Sequence, residues 1–207
     1  MNALTSLDVV LYLYWALLLL VTMTSGILAI LAFRLGKQPF AIASAGALGA
    51  ALLLAALPLG EAPVVFGVLI GMAALALAVI GGGPAAVLAL QLATKNSVAP
   101  GSHDGILVGA EPSPAADAAP PGGTAPPVAV HEVLRGGLTI GVLERLAVAG
   151  AILAGFPEAL AVVVAIKGVG RFTELASSEA RERFIIGTFA SLIWACACAI
   201  LVSLAQS

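Results

Sequence analysis

Seven ionisable residues in the last third of the chain could do chemistry inside a membrane. Glu144, Arg145 and Lys167 fall within apolar runs, while Arg171, Glu174, Glu182 and Arg183 lie toward the ends of those runs. An ionised side chain at the centre of a bilayer costs at least about 2.5–3.5 kcal/mol on insertion scales. Groups placed there pair with one another, meet water, or line a path for an ion or solute. Two consecutive helices over 138–156 and 157–175 run antiparallel about residue 156. Glu144 and Arg145 then stand level with Lys167 and Gly168, roughly 15 Å from the turn at 1.5 Å per residue. A Glu144–Lys167 ion pair is expected. Arg145, turned by about 100° on the helix, extends the network or reaches toward the interface. Across the next turn Arg171 comes level with Arg183, and Glu174 and Glu182 are the counter-ions on offer.

The surrounding residues suit close helix contact. Gly137, Gly141, Glu144, Val148, Ala151 and Gly155 recur at alternating spacings of four and three, which is one helix face. Glu144 is therefore expected inside a seam of small residues, and Gly187 adds a packing position on the last helix. On the fifth helix Leu160, Val164, Lys167, Arg171 and Glu174 share a face. No nucleophile–base pair accompanies these charges, so the reading leans against an enzyme. Ser191 and Thr188 read as packing hydroxyls and Trp194 as a bundle or lipid-facing residue. Cys196 and Cys198 are two apart on a helix and point to different sides, as small apolar residues rather than metal ligands. His131-Glu132 lacks the second histidine of a zinc-protease motif. No cofactor and no metal is implied.

These residues must be positioned by membrane helices. The chain has 207 residues, 61% hydrophobic and only 10% charged, with a net charge of −2 and a mean hydropathy of +1.12. Soluble domains carry about 25% charged residues, and each bilayer crossing needs about 20 apolar residues. The fold class expected is all-α, a polytopic helical membrane protein of six spans in a 3+3 arrangement. Residues 1–94 form an N-terminal membrane region, 95–135 a disordered Pro/Ala/Gly-rich linker, and 136–207 a C-terminal membrane region carrying the charges.

Within the first region the spans are Val9–Phe33, Phe40–Leu59 and one beginning at Val64. Tyr12, Tyr14 and Trp15 read as interfacial aromatics. Gly67 and Gly71 have the spacing that lets helices approach in lipid. Gly81-Gly82-Gly83-Pro84 is expected to interrupt the third helix, leaving a short interfacial helix or a kinked end over Ala85–Thr94. The linker holds seven prolines in Lys95–Val130 and no aromatic residue, too little apolar surface to offset the entropy of ordering. The last span is expected over Glu182–Leu204.

Lys and Arg near span ends set orientation. Of nine, seven (Arg34, Lys37, Lys95, Arg135, Arg171, Arg181 and Arg183) fall on one side of a six-span layout, and Arg145 and Lys167 lie within spans. The other side holds Asp8, Glu61 and Glu158. Both termini are therefore expected outside the cytoplasm and the linker within it.

The same C-terminal residues carry a resemblance. Gly141-Val-Leu-Glu144-Arg145-Leu, Gly155-x-Pro-Glu-Ala, Lys167-xxx-Arg171-Phe172-x-Glu174-Leu175 and Glu182-x-Phe-Ile-Ile-Gly187-Thr188-xx-Ser191 resemble an uncharacterised bacterial membrane family, domain of unknown function 3307. Gly168 stands where that family has serine, and Arg181-Glu-Arg-Phe where it has Ala-Glu-Tyr-Phe. The resemblance does not reach the first three spans. It implies a multi-pass protein of the bacterial inner membrane and supplies no activity. The sequence thus suggests a bundle that moves a small ion or solute, or regulates one that does, through a Glu144/Lys167/Arg171 path. The rival is a structural or partner-binding subunit whose charged seam only locks helices. A third reading, a lipid-headgroup enzyme, would use Arg145, Arg171 and Arg183 to grip phosphate. The partners implied are the lipid bilayer and another membrane protein or second copy of the chain. Nothing is basic enough to suggest nucleic acid.

Overall fold

The structure is a computed structural model that describes residues 2–93, 107–108, 131–132, 137–170 and 178–207. It is all-helical apart from one two-residue strand pair. The helices are α1 (Asn2–Leu35), α2 (Gln38–Ala55), α3 (Val64–Ala93), α4 (Gly137–Leu153), α5 (Ala159–Gly170) and α6 (Ser178–Ala205). Four are long and apolar enough to cross a membrane: Asp8–Leu35 of α1, α2, α3, and Ala180–Ala205 of α6. At 1.5 Å per residue, the 17 residues of α4 and 12 of α5 extend only about 26 and 18 Å.

Local chemistry sets the ends. Gly36 takes a left-handed φ of 62° and its N–H caps the carbonyl of Ala32 at 2.9 Å, which stops α1. α2 ends at Ala55 rather than running to Leu59. Pro58 disfavours helical backbone just before it, and Gly60 turns with φ 87°. At the end of α4, Gly155 has φ 73°. Phe156 N–H donates to Ala151 O and Gly155 N–H to Ile152 O, at 2.8 and 3.0 Å. That is a Schellman cap, and it fixes the α4–α5 turn. Gly155 is thus a turn residue, with nothing near it for a packing role.

The glycine–proline stretch does not interrupt α3. The helix continues through Gly81–Pro84 to Ala93. Three glycines at about 1 kcal/mol each and a proline at about 3 kcal/mol are unfavourable in an isolated helix. Packing overrides that propensity, because all four residues are buried against neighbours. α3 and α6 form the most extensive contact in the molecule. They are antiparallel: Ala62 N–H bonds Ala205 O at 3.0 Å, Gly71 faces Val202, and Gly187 faces Leu90. α4 packs on both α3 and α6, α1 packs on α2 and α3, and α2 also touches α6. The N- and C-terminal helices therefore share one core, which includes Leu18, Leu48, Ile70, Leu77, Val148, Trp194 and Leu201.

α1 and α2 are pinned by a reciprocal serine pair. Ser25 Oγ donates to Ser44 O and Ser44 Oγ to Ser25 O, both at 2.8 Å, in a fully buried contact. Of the three aromatics read as interfacial, only Tyr12 is exposed. Trp15 is in the core, and Tyr14 hydroxyl donates to Leu54 O at 2.6 Å. In the segment between α3 and α4, Leu107–Val108 pairs antiparallel with His131–Glu132. The rest of the expected linker lies outside the described residues.

Candidate functional site

Glu144 and Arg145 are neighbours on α4, yet they serve different helices. Glu144 points toward α5, where Lys167 Nζ donates to Glu144 Oε2 in a direct ion pair. The side chains keep 15% (Lys167) and 11% (Glu144) of their surface exposed, so the pair is at the edge of the bundle and is not sealed inside. Lys167 also lies 5.6 Å from the centre of the Phe184 ring of α6, within the range of a cation–π attraction. Matching of depth on an antiparallel hairpin brings these two charges together.

Arg145 occupies the interior. Gly141, Arg145, Val148 and Ala149 are the buried residues of α4, so the face turned to α3 and α6 runs through Arg145. The seam of small residues had been expected to hold Glu144. The difference has a physical cause in α3. Gly82 leaves the space that the Arg145 stem crosses, and a Cβ there would clash with Arg145 Cδ and lie 3.1 Å from Ser191 Oγ. Gly141 likewise leaves room for the guanidinium, with Arg145 Nη1 3.1 Å from where a Cβ would be. Arg145 Nη1 donates to Ser191 Oγ of α6 at 3.1 Å.

One turn away, Trp194 covers Gly81. A Cβ on Gly81 would fall 2.5 Å from the indole ring, closer than side chains approach. The indole Nε1–H donates to Leu77 O at 3.0 Å. Gly82, Gly141 and Ser191 thus build a receptor for Arg145 between three helices, with the Gly81–Trp194 contact beside it. Sequence reasoning treated the glycines as a break and Ser191 and Trp194 as ordinary packing. One signal was present: the run from Val64 to Ala93 is apolar on both sides of the glycines, with Gln91 its one polar side chain.

The remaining candidates divide. Glu182 is exposed and pairs with no other described residue, whereas Arg183 is half-buried. Arg171 and Glu174 lie outside the described residues, so their place in a network is not addressed. Gly137 is half-buried at the start of α4, and Gly187 packs against Leu90. Cys196 is half-buried and Cys198 buried, both as free thiols. Among the described residues no group of three or more His, Cys, Asp or Glu side chains could hold a metal.

Chemically, the arrangement offers a carboxylate and an ammonium that can exchange each other for water, an ion or a proton. Next to them is a guanidinium fixed in a shaped slot. Compared with protein-family models, curated proteins and solved structures, the chain matches none.

Proposed function

We propose that this chain is a multi-pass membrane protein that passes a small ion or solute along the α4–α5 hairpin, or regulates a partner that does. The observation that carries this reading is the Glu144–Lys167 pair. It stands on apolar helices, it is partly open, and its lysine comes from α5, none of whose described residues is buried. An intramembrane ionisable pair is by default a functional site, and one on a thinly packed helix can open at low cost. The proposal includes location in a bacterial inner membrane and the resemblance of the C-terminal region to domain of unknown function 3307.

The proposed topology keeps both termini outside and the linker 95–135 in the cytoplasm. It survives the shortness of α4 and α5. If both cross, there are six spans, and if both dip in as a re-entrant hairpin, there are four. Either way residues 136 and 171 lie on the same side, and the Lys/Arg asymmetry is unchanged.

The test uses the purified full-length chain in liposomes with a pH-sensitive dye and a potassium chloride gradient. Flux above that of protein-free vesicles is expected, and Glu144→Gln should change it at normal protein levels. A variant that merely disappears from the membrane, with wild-type flux per surviving molecule, would contradict the reading.

A structural role is favoured by a different observation. Arg145 is only 5% exposed and bonded to Ser191, a closed contact that ties α4 to α6. On this second reading the charges hold helices together or dock a partner subunit or a second copy. Restored assembly in the pair-swapped protein (Glu144→Lys with Lys167→Glu), without any flux, would support it. The lipid-headgroup reading fits less well, since Arg145 is enclosed between helices.

A further inference from the structure

Four consecutive residues that disfavour a helix, Gly81-Gly82-Gly83-Pro84, lie inside α3 and are buried. Pro84 has no N–H, so the carbonyl of Ile80 lacks its helical donor, and the proline ring crowds that turn. The glycines contribute no side chain to stiffen it. In a bilayer such stretches persist where neighbouring helices hold them. Here two side chains do so. Trp194 of α6 lies on Gly81 and its Nε1–H donates to Leu77 O at 3.0 Å. Arg145 of α4 lies across Gly82 and is anchored by Ser191 Oγ at 3.1 Å.

The position of this stretch gives it a mechanical meaning. Pro84 is 20 residues beyond Val64, or about 30 Å along the axis, and nine residues of α3 follow it. Ala85–Ala93 continues beyond it as an arm, half-buried from Ala85 to Gln91. The arm rests on the start of α6, with Leu90 against Gly187.

We propose that Gly81–Pro84 is a hinge in α3, latched straight by Trp194 and Arg145, about which the arm 85–93 swings when the latch opens. Arg145 directly follows Glu144. A movement of α4 against α5 that parts Glu144 from Lys167 therefore also draws Arg145 off Gly82, so the charged pair and the arm move together. The device goes beyond the transport reading and does not depend on it, because a partner-binding subunit could use the same swing.

Amide hydrogen exchange of the full-length chain in lipid nanodiscs tests this. Trp194→Phe keeps a ring over Gly81 and removes the donor to Leu77. Exchange over residues 80–88 should rise about tenfold or more, while peptides from α1 and α2 stay at wild-type rates. Adding Pro84→Ala restores the Ile80 hydrogen bond and should abolish the acceleration. The proposal is overturned if Trp194→Phe changes exchange over 80–88 by less than about twofold. It also fails if all helices accelerate together, or if the effect persists undiminished with Pro84→Ala. Should Trp194→Phe not accumulate, Ser191→Ala, which unhooks the Arg145 side of the latch, is read against the same outcomes.

Discussion

Arg145 and Lys167 are both cations carried on apolar helices, and the protein handles them in opposite ways. Arg145 faces the α3–α6 seam, the most extensively packed part of the molecule. There it meets backbone glycines and a serine hydroxyl. Lys167 rides on α5, which has no buried residue among those described, and it is met by a carboxylate and the face of an aromatic ring. The contrast follows from the two head groups. A guanidinium is planar, broad and weakly hydrated, so a shaped slot with a fixed acceptor suits it. An ammonium is a compact point charge that needs an opposite charge. The comparison separates a scaffold, α1–α4 with α6, from a lightly held helix, α5, that carries the lysine of the exchangeable pair.

The largest effect should come from filling the slot. Gly81→Leu drives a side chain into the Trp194 ring, and overpacking of that kind costs about 1–3 kcal/mol or more. Gly46→Ala is the control, because nothing lies within 4 Å of a Cβ there. It should be neutral or stabilise by up to about 1 kcal/mol, the helix propensity of alanine over glycine. Reversible unfolding in mixed detergent micelles measures both. Equal effects would show that Gly81 does not seat the Trp194 ring.

Next in size is the pair itself. Lys167→Leu strands Glu144 and should cost less than the roughly 3–5 kcal/mol of a fully buried pair, since both side chains keep some exposure. Leucine at both positions should recover most of that loss in the same unfolding assay, because two neutral residues leave no stranded charge. If the double variant is no better than the single, the carboxylate was not relying on the lysine.

The smallest effect belongs to the serine clasp of α1 and α2. Ser25→Ala or Ser44→Ala should each cost about 0.6 kcal/mol, the typical size of an intramembrane side-chain hydrogen bond. The two effects should not add, since the hydroxyls share one contact. Strict additivity would mean that each serine acts alone.

Part of this arrangement is legible in the sequence. Apolar runs of membrane length identify the helical class, and the level of Glu144 with Lys167 follows from counting back along an antiparallel hairpin. Depth is a one-dimensional quantity that residue numbers carry. The direction a helix face turns is not. Whether Glu144 or Arg145 faces inward depends on what α3 offers, and α3 offers an opening at Gly82 that lies more than sixty positions away in the chain. Gly81–Pro84 illustrates the same limit. Local propensity reads the stretch as a break, and only the side chains of Trp194 and Arg145 make it a helix. Trp15, next to two tyrosines at the start of a span, likewise looks interfacial until α2 and α3 are packed around it. The segment 171–177, which carries Arg171 and Glu174, lies outside the described residues.

The most direct test of the account is a charge exchange across the hairpin. Glu144→Lys and Lys167→Glu are each expressed alone and together, and the folded protein recovered from membranes is measured by size-exclusion profile and unfolding midpoint. The account predicts that each single variant, with two like charges face to face, is recovered poorly, and that the exchanged pair returns to near the wild-type amount and midpoint. An exchanged pair no better than the worse single variant would show that these two side chains do not meet in the membrane.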